Sequence, residues 1–246
     1  MGINNHALDS QKSQLFHYRL HLAYDGRPYS GFVTQPGGHT IQDHLEAQLM
    51  RVAALAGRLV GASRTDAGVS AYEHICLFRS TKDLDLIKTQ VSLNALLHPT
   101  IRVISLSRCH QDFHPLLNNQ GKIYRYLLWH GPYPYPFDYD LVWSIPKSTC
   151  LITLEKELTS VQGQHDFKGF SKTSEPRKTT IRTLKDVRVF VAGSSIEIWF
   201  YGDGFLRHMI RNLIGSAVTV SGNRLPRSTL PSLQLILQAK DRTKAH

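Results

Sequence analysis

The chain has 246 residues, of which 41% are hydrophobic and 20% are charged, and this suits one large domain or two small ones with a real core. Its apolar stretches are far too short to span a bilayer, and residues 1–14 lack the apolar run of a signal peptide. Neither a membrane protein nor a secreted protein is therefore expected.

The cysteines indicate the redox compartment of the protein, and the net charge indicates the kind of partner that it binds. Cys76, Cys109 and Cys150 stand far apart in odd number, which fits reduced thiols in the cytoplasm. The net charge is +10, and residues 163–246 hold 14 basic and 6 acidic side chains. This excess favours a polyanionic partner for the C-terminal part, although a basic face kept for solubility would look the same.

The first half of the chain predicts strands mixed with helices. Apolar residues at every second position predict a half-buried strand over Phe16–Tyr24. Thr40, with Asp43 three residues later, predicts the capped start of a helix that continues to about residue 52. Further strands are expected near residues 58–62, 72–78 and 101–106, with a helix near 84–97.

The second half repeats this rhythm loosely. Alternation predicts a strand over Lys122–Trp129. Residues 131–140 are rich in Pro and Tyr and are predicted to form a loop, because Pro lacks the donor that a sheet needs. Helices are expected over residues 151–161 and 205–220, and strands over 184–191 and 196–201.

The order of elements predicts an α+β protein with a central sheet. We expect two similar α+β halves, residues 1–118 and 119–246, with the basic second half as the part that binds a polyanion. A cleft between two similar halves is a natural site for a ligand.

The strongest chemical feature is the small-residue segment from Gly61 to Val69, which holds Arg64 and Asp66 two positions apart. A carboxylate beside a guanidinium stays ionised, and an ionised carboxylate can act as a nucleophile or as a general base. Spacing alone leaves an ordinary turn open as the alternative, because Asp and Gly are common in turns.

Other kinds of chemistry are less well supported. Asp25, Asp166 and Asp203 could in principle approach Asp66, but no paired acid of the kind that glycoside hydrolysis needs is evident. His17 and His21 are four residues apart on a predicted strand, too distant to share one metal ion. Arg207 stands where a dinucleotide-binding motif would need its third Gly.

Aromatic and basic residues alternate in two segments. Tyr124 and Tyr126 share one face of a predicted strand and Arg125 takes the other. The tyrosines are candidates to stack on RNA bases, although strand composition alone favours packing of one or both in a core. Arg207 and Arg211 are four apart on a predicted helix and therefore share one face, which is either an RNA contact or a solvated surface.

Taken together, these segments resemble the tRNA pseudouridine synthase A family over residues 18–243. The motifs that carry the resemblance are, in order, Tyr24-Asp25-Gly26, Gly31-Phe32, Thr40-Ile41-Gln42, Leu45-Glu46, Arg64-Thr65-Asp66-Ala67-Gly68-Val69, Asn94 with Leu96 to Pro99, Phe113-His114, Lys122 with Tyr124-Arg125-Tyr126, Gly163 with His165-Asp166-Phe167, Arg182-Thr183, and Phe205 to Arg211 with Gly215.

The resemblance implies the pseudouridine synthase fold, with a mostly antiparallel sheet, and an isomerase that converts uridine to pseudouridine at tRNA nucleotides 38, 39 and 40. Asp66 would be the catalytic carboxylate, by covalent addition or by removal of a sugar proton. Arg64, Tyr124 and Arg211 would bind the substrate, and Arg211 would also pair with Asp66. The family implies no cofactor and no metal, and a cytoplasmic homodimer that binds tRNA.

Several positions depart from the family pattern, among them Phe32-Val33, Ser70 and Leu116, and we expect them to alter RNA contacts rather than the chemistry. The chain also ends at His246, soon after Lys240-Asp241-Arg242, so we expect a looser uridine pocket with lower activity. The main alternative is a catalytically weak or inactive RNA-binding protein of the same fold.

Overall fold

A computed structural model describes residues 14–171, 179–222 and 231–240. The chain forms two compact units, an N-terminal unit (Met1–Asn119) and a C-terminal unit (Gln120–His246). Asp241 and Arg242, on which the expectation about the C-terminal end rests, lie outside the described residues. Within the described ranges, none of the helices has the length and apolar character needed to cross a membrane.

The N-terminal unit is one antiparallel sheet with two helices. Its elements are β1 (Phe16–Tyr24), α1 (Ile41–Ala53), β2 (Val60–Gly61), β3 (Ala71–Ser80), α2 (Leu86–Leu96) and β4 (Ile101–Arg108). The strands lie in the order β2-β3-β1-β4, and every pairing is antiparallel.

Local sequence explains the two central elements of this unit. Strand β1 buries alternate side chains, among them Leu20 and Leu22, because successive residues of a strand face opposite sides of the sheet. Helix α1 begins at a capping box in which Thr40 and Asp43 satisfy each other's backbone N–H groups. The helix then buries Leu45 in the same core.

The C-terminal unit has a five-stranded sheet with helices packed on it. Its elements are β5 (Lys122–Trp129), β6 (Trp143–Ser144), α3 (Leu151–Ser160), β7 (Gly163–Asp166), a 3₁₀ helix (Phe167–Phe170), β8 (Ile181–Ala192), β9 (Ser195–Gly202), α4 (Met209–Ser221) and α5 (Leu233–Ala239). The order is β6-β5-β9-β8-β7, and only β5 and β6 pair in parallel.

The core of this unit lies between the sheet and α4. Strand β9 alternates and buries Ile196, Ile198 and Phe200. Helix α4 buries Met209 and Leu213, which are four residues apart and therefore share one face. The predicted α+β class with mostly antiparallel sheets is confirmed.

One predicted helix is wrong at its start, with a consequence for the site. Helix α4 begins at Met209 rather than at Phe205, because His208 takes a left-handed conformation with φ 62° that interrupts the helix. Arg207 therefore precedes the helix, and the prediction that Arg207 and Arg211 share a helix face is wrong. Strand β2 is also shorter than predicted, and β6, β7 and α5 were not predicted.

Candidate active site

Arg64 and Asp66 lie in the loop of residues 62–70 between β2 and β3, and both are exposed. The carbonyl oxygen of Asp66 accepts a hydrogen bond from the backbone N–H of Val69 at 3.2 Å, so the loop turns directly after Asp66. The carboxylate is thus presented at a tight turn of a short loop, and we call residues 62–70 the Asp66 loop.

Backbone and side-chain bonds fix the Asp66 loop against the segment that follows β1. The N–H of Phe32 donates to the carbonyl of Thr65 at 3.2 Å, and the N–H of Gly68 donates to the carbonyl of Tyr29 at 3.3 Å. The hydroxyls of Tyr24 and Thr65 share a hydrogen bond of 3.0 Å. The residues on both sides of Asp66 are therefore anchored to a second segment.

Two glycines of that segment permit this close approach. Gly31 has a φ of +99°, and a Cβ added there would lie 2.7 Å from the carbonyl oxygen of Thr65. A Cβ on Gly26 would lie 2.0 Å from the carbonyl oxygen of Val69. Any larger residue at either position would push the Asp66 loop away, because real Cβ atoms do not approach backbone so closely.

A buried aromatic pair supports the start of the Asp66 loop. The ring of His74, on β3, stacks on Phe32 with centroids 4.1 Å apart, and the His74 Nδ1 atom is hydrogen bonded to the Tyr24 hydroxyl at 3.2 Å. A Cβ on Gly61 would lie 2.5 Å from the Phe32 ring. His74 has no motif that marks it in the sequence, and it lies opposite Leu22 where β3 pairs with β1.

Ser70 has a structural role at the end of the Asp66 loop. Its hydroxyl accepts from the N–H of Gly26 at 2.9 Å and donates to Asp25 at 3.4 Å. Arg27 forms an ion pair with Asp25 at 2.7 Å, and the Arg27 hydrogen bonds hold the pKa of Asp25 below its ordinary value against the effect of burial. Asp25 therefore shapes a turn with Arg27 and Ser70, and the effect of Ser70 on RNA contacts stays a prediction.

The other two acidic candidates, Asp166 and Asp203, also form local structural contacts. Asp166 accepts from Thr180 at 2.5 Å and pairs with Lys240 at 3.1 Å. Asp203 accepts the backbone N–H of Thr183 at 3.1 Å. In the described part of the chain, no group of three or more His, Cys, Asp or Glu side chains is placed to hold a metal ion.

Strand β5 presents its tyrosines and its arginine on opposite faces. Tyr124 and Tyr126 are half-buried against the core of the C-terminal unit, and Tyr124 meets the edge of Phe205 with ring centroids 4.7 Å apart. Arg125 lies 5.6 Å from the Trp199 ring centroid on the other face. The two interpretations of the tyrosines are therefore compatible, since each ring packs on the core and keeps part of its surface open.

A cavity of about 400 Å³ lies in the C-terminal unit, within the size range of small-ligand sites. Its lining residues are Tyr126, Trp143, Arg211, Asn212 and Gly215. Burial raises the pKa of the Tyr126 phenol, and the charge of Arg211 opposes that shift. Asn212 donates to the carbonyl of Phe170 at 2.8 Å, which holds the start of α4 in place beside Arg211.

Lys122 precedes the tyrosines on the same face of β5. Burial, together with the nearby charge of Arg182, lowers the pKa of the Lys122 ammonium. A partly desolvated cation beside aromatic rings suits contact with an anionic ligand.

Comparison with known proteins identifies the kind of protein that has these features. The family model described as tRNA pseudouridine synthase matches residues 159–246. The tRNA pseudouridine synthase A of Akkermansia muciniphila is 34% identical over 229 residues, which cover 90% of this chain and 85% of that protein. The corresponding protein of Geotalea daltonii is 33% identical over 215 residues, or 87% of this chain and 88% of that protein. The chain belongs to the tRNA pseudouridine synthase A family. A further relative, the tRNA pseudouridine synthase A 2 of Clostridium perfringens, is 29% identical over 228 residues, which cover 92% of each chain.

Membership of this family confirms the predicted resemblance and the predicted isomerase class. The four predicted site residues fall into two pairs. Arg64 and Asp66 share one loop of the N-terminal unit, whereas Tyr124 and Arg211 lie on β5 and α4 of the C-terminal unit. The pairing of Arg211 with Asp66 stays a prediction.

Proposed function

We propose that this protein converts uridine to pseudouridine in the anticodon stem-loop of tRNA, at nucleotides 38, 39 and 40. The relatives are tRNA pseudouridine synthases by name, which supports tRNA as the substrate, and the similarity over most of this chain supports the same reaction here. We further propose that it acts as a cytoplasmic homodimer. The three free cysteines fit a reducing compartment.

In this proposal Asp66 is the catalytic carboxylate. The reaction breaks the bond from C1′ to N1, rotates the uracil, and forms a bond from C1′ to C5; the C5 proton is lost and N1 gains one, so no redox change occurs. Asp66 either adds covalently to the substrate or removes a proton from the sugar. The anchors on both sides of Asp66 support this role, because a preorganised group loses little entropy when the substrate arrives.

The other three residues bind the nucleotide. Extruding a uridine from a stack costs a few kcal/mol, and stacking on an aromatic ring is worth about 1–3 kcal/mol per base. Tyr124 is proposed as that ring. Arg64 has an exposed guanidinium suited to a phosphate, and Arg211 lines the cavity beside Tyr126.

The observation that carries the proposal is an aspartate presented on a loop that is fixed on both sides, in a chain of this family. The test is base-resolved mapping of pseudouridine in tRNA after incubation with the protein, with Asp66→Asn as the inactive control. New pseudouridine at nucleotides 38, 39 or 40 is expected. Tight tRNA binding without any new pseudouridine would instead establish the RNA-binding protein of the same fold.

A further inference from the structure

An exposed aromatic ring follows the Asp66 loop in the N-terminal unit. Tyr72 is the second residue of β3 and is 76% exposed. Tyr18 and Phe78 of the same sheet are by contrast fully buried. Aromatic rings contribute much of the contact energy wherever they meet a partner, so a ring kept in water beside a candidate active site is a candidate contact for the substrate.

A β-bulge sets the direction of this ring. The register of β1 with β3 shifts between Leu22 and Tyr24, so that one residue of β1, Ala23, lies opposite two residues of β3, Tyr72 and Glu73. Both residues of the bulge are exposed. Bulges bend a strand and re-aim its side chains, and they are over-represented beside active sites. The ring is therefore turned outward at the point where the Asp66 loop ends.

Contacts on both sides of the bulge fix the backbone that carries the ring. Just before it, the hydroxyl of Ser70 accepts from the N–H of Gly26 at 2.9 Å. Just after it, the buried His74 stacks on Phe32 with ring centroids 4.1 Å apart. A tyrosine side chain has only two χ angles, so Tyr72 on this backbone loses little conformational entropy when a partner covers it.

The Asp66 carboxylate and the Tyr72 ring are close enough to contact one strand of RNA. The hydrogen bond from Val69 to Asp66 closes a turn, which keeps the Cα atoms of these two residues within about 7 Å. Three residues at up to roughly 3.5 Å each lead from Val69 to Tyr72, so the Cα atoms of Asp66 and Tyr72 lie at most about 17 Å apart. A strand rises about 3.4 Å per stacked nucleotide. A base a few nucleotides from a uridine at Asp66 is therefore within reach of the ring.

The charges around Tyr72 favour a nucleic acid and assign the ring to a base. Arg64 is exposed in the Asp66 loop, and Arg27 is 42% exposed on the turn that Ser70 contacts. Exposed guanidinium groups suit phosphates. Glu73 shares the bulge with Tyr72, and its carboxylate disfavours a phosphate there because like charges repel. The group that suits the ring itself is the uncharged face of a base.

The size of the exposed apolar surface argues against a protein partner. At roughly 200 Å² for a fully exposed aromatic side chain, Tyr72 offers about 150 Å². A stable interface between proteins uses about 800 Å² of each partner, and Ser70 and Glu73 on either side of the ring are polar or charged. A single ring among polar groups is too small for such an interface but is large enough to cover one base.

We propose that Tyr72 stacks on an RNA base near the target uridine and so contributes to the choice of substrate. When a uridine leaves its helix, the base beside it loses a stacking partner. An aromatic ring can take that place, because every base has a flat face. This inference rests on the proposed function and adds a contact outside the target nucleotide, whose own proposed ring is Tyr124.

The first test compares tRNA binding and turnover between variants that remove the ring and variants that keep it. Tyr72→Ala should raise the Kd and the KM for tRNA by about 5–150-fold, with a smaller effect on kcat. Tyr72→Phe and Tyr72→Trp keep a ring and should stay close to the wild type. Ile87→Ala is the matched control, because Ile87 is 78% exposed in the same unit but lies on α2.

Two results would overturn the proposal. If Tyr72→Ala bound tRNA as tightly as Ile87→Ala, the ring would make no contact with RNA, and a protein partner would be left as its use. If Tyr72→Phe bound as weakly as Tyr72→Ala, the contact would belong to the phenol hydroxyl instead of the ring. Because the Kd is measured without turnover, a wild type that binds tRNA but forms no pseudouridine would refute the proposed reaction and still leave the stacking contact to be decided by binding.

A second measurement uses the wild-type protein and therefore does not depend on the folding of a variant. The photo-crosslinking nucleotide 5-iodouridine replaces single nucleotides on either side of the target uridine in an anticodon stem-loop. Illumination is expected to join Tyr72 to one of these flanking positions, and mass spectrometry identifies the linked residue. Crosslinks that reach other residues from every flanking position, and never Tyr72, would contradict the proposal.

Discussion

The Asp66 loop and the tyrosine face of β5 are held in place by different means. The loop has little core of its own and is fixed by backbone hydrogen bonds to the segment after β1, where Gly31 permits the close approach. Tyr124 is instead fixed by side-chain packing, against Phe205 and the core beneath it. The proposed catalytic carboxylate is thus positioned by the backbone in one unit, and the ring proposed to bind the base is positioned by the core in the other.

This difference predicts two kinds of mutational sensitivity. Around the Asp66 loop, residues that never touch the substrate should affect turnover, because any shift of Thr65 moves Asp66 with it. On β5, substitutions should act mainly through the ring that is removed. The following variants test that contrast, from the largest expected effect to the smallest.

Asp66→Asn should lower the rate of pseudouridine formation by at least about 10²–10⁴-fold, which is the scale of catalysis by a positioned acid or base. Affinity for tRNA should change little, because many phosphate contacts supply it. The rate is measured in a single-turnover assay and the affinity by filter binding. Asp112→Asn, whose carboxylate is 81% exposed, is the control. Wild-type turnover by Asp66→Asn would remove Asp66 from the chemistry.

Tyr124→Ala should cost about 1–3 kcal/mol of stacking, or roughly 5–150-fold in kcat/KM. Tyr124→Phe keeps the ring and should retain most of the activity, so the pair of variants separates stacking from the phenol group. Thermal unfolding checks that the contact with Phe205 is not the main loss. If Tyr124→Ala turned over like the wild type, the ring would belong to the core alone.

Gly31→Ala tests the close backbone contact between the Asp66 loop and the segment after β1, which we call the backbone clamp. The substitution changes no group that is proposed to react. The new methyl group would lie 2.7 Å from the carbonyl of Thr65, so we expect a displaced Asp66 loop and a loss of kcat on the order of tenfold. Gly37→Ala is a matched control, because Gly37 has nearly the same φ, +98°, with nothing within 4 Å of the added Cβ. Both substitutions introduce backbone strain, which should lower the free energy of unfolding by about 1–3 kcal/mol in thermal melting experiments.

The comparison of these two glycine variants separates the effect of the contact with Thr65 from the effect of backbone strain. If Gly31→Ala and Gly37→Ala lost the same stability and kept the same kcat, the Thr65 contact would have no bearing on turnover. A selective loss of kcat in Gly31→Ala would show that the Asp66 loop is positioned from outside.

Much of this fold is predictable from sequence, because its elements carry local signals. The alternation in Phe16–Tyr24 and the Thr40 capping box gave β1 and the start of α1 correctly. The start of α4 was mispredicted, since the left-handed conformation of His208 leaves no mark in the apolar periodicity. A positive φ at a residue other than Gly depends on tertiary packing rather than on propensity.

The candidate site is less predictable for the same reason. Arg64 and Asp66 stand out in the sequence, but their anchors do not, because Tyr24 and Thr65 are 41 residues apart. His74 and Ser70 have no motif of their own and acquire their roles only when β3 pairs with β1. Sequence therefore identifies the candidate site residues better than the residues that position them.

The smallest expected effect comes from Tyr24→Phe, which deletes one side-chain hydroxyl that is hydrogen bonded to the Asp66 loop. That hydroxyl is hydrogen bonded to Thr65 at 3.0 Å and to His74 at 3.2 Å, and its loss should cost about 0.5–1.5 kcal/mol of stability. Tyr18→Phe is the matched control: the Tyr18 hydroxyl is also buried in the N-terminal unit and accepts the N–H of Leu84 at 2.8 Å, but it makes no contact with the Asp66 loop. Both variants should melt at similarly reduced temperatures, whereas only Tyr24→Phe should lower kcat, by up to about tenfold, since a loosened Thr65 allows Asp66 to leave its reactive position. An equal kcat in the two variants would mean that the backbone bonds from Phe32 and Gly68 are enough to hold the Asp66 loop, and that the side-chain bond contributes to folding alone.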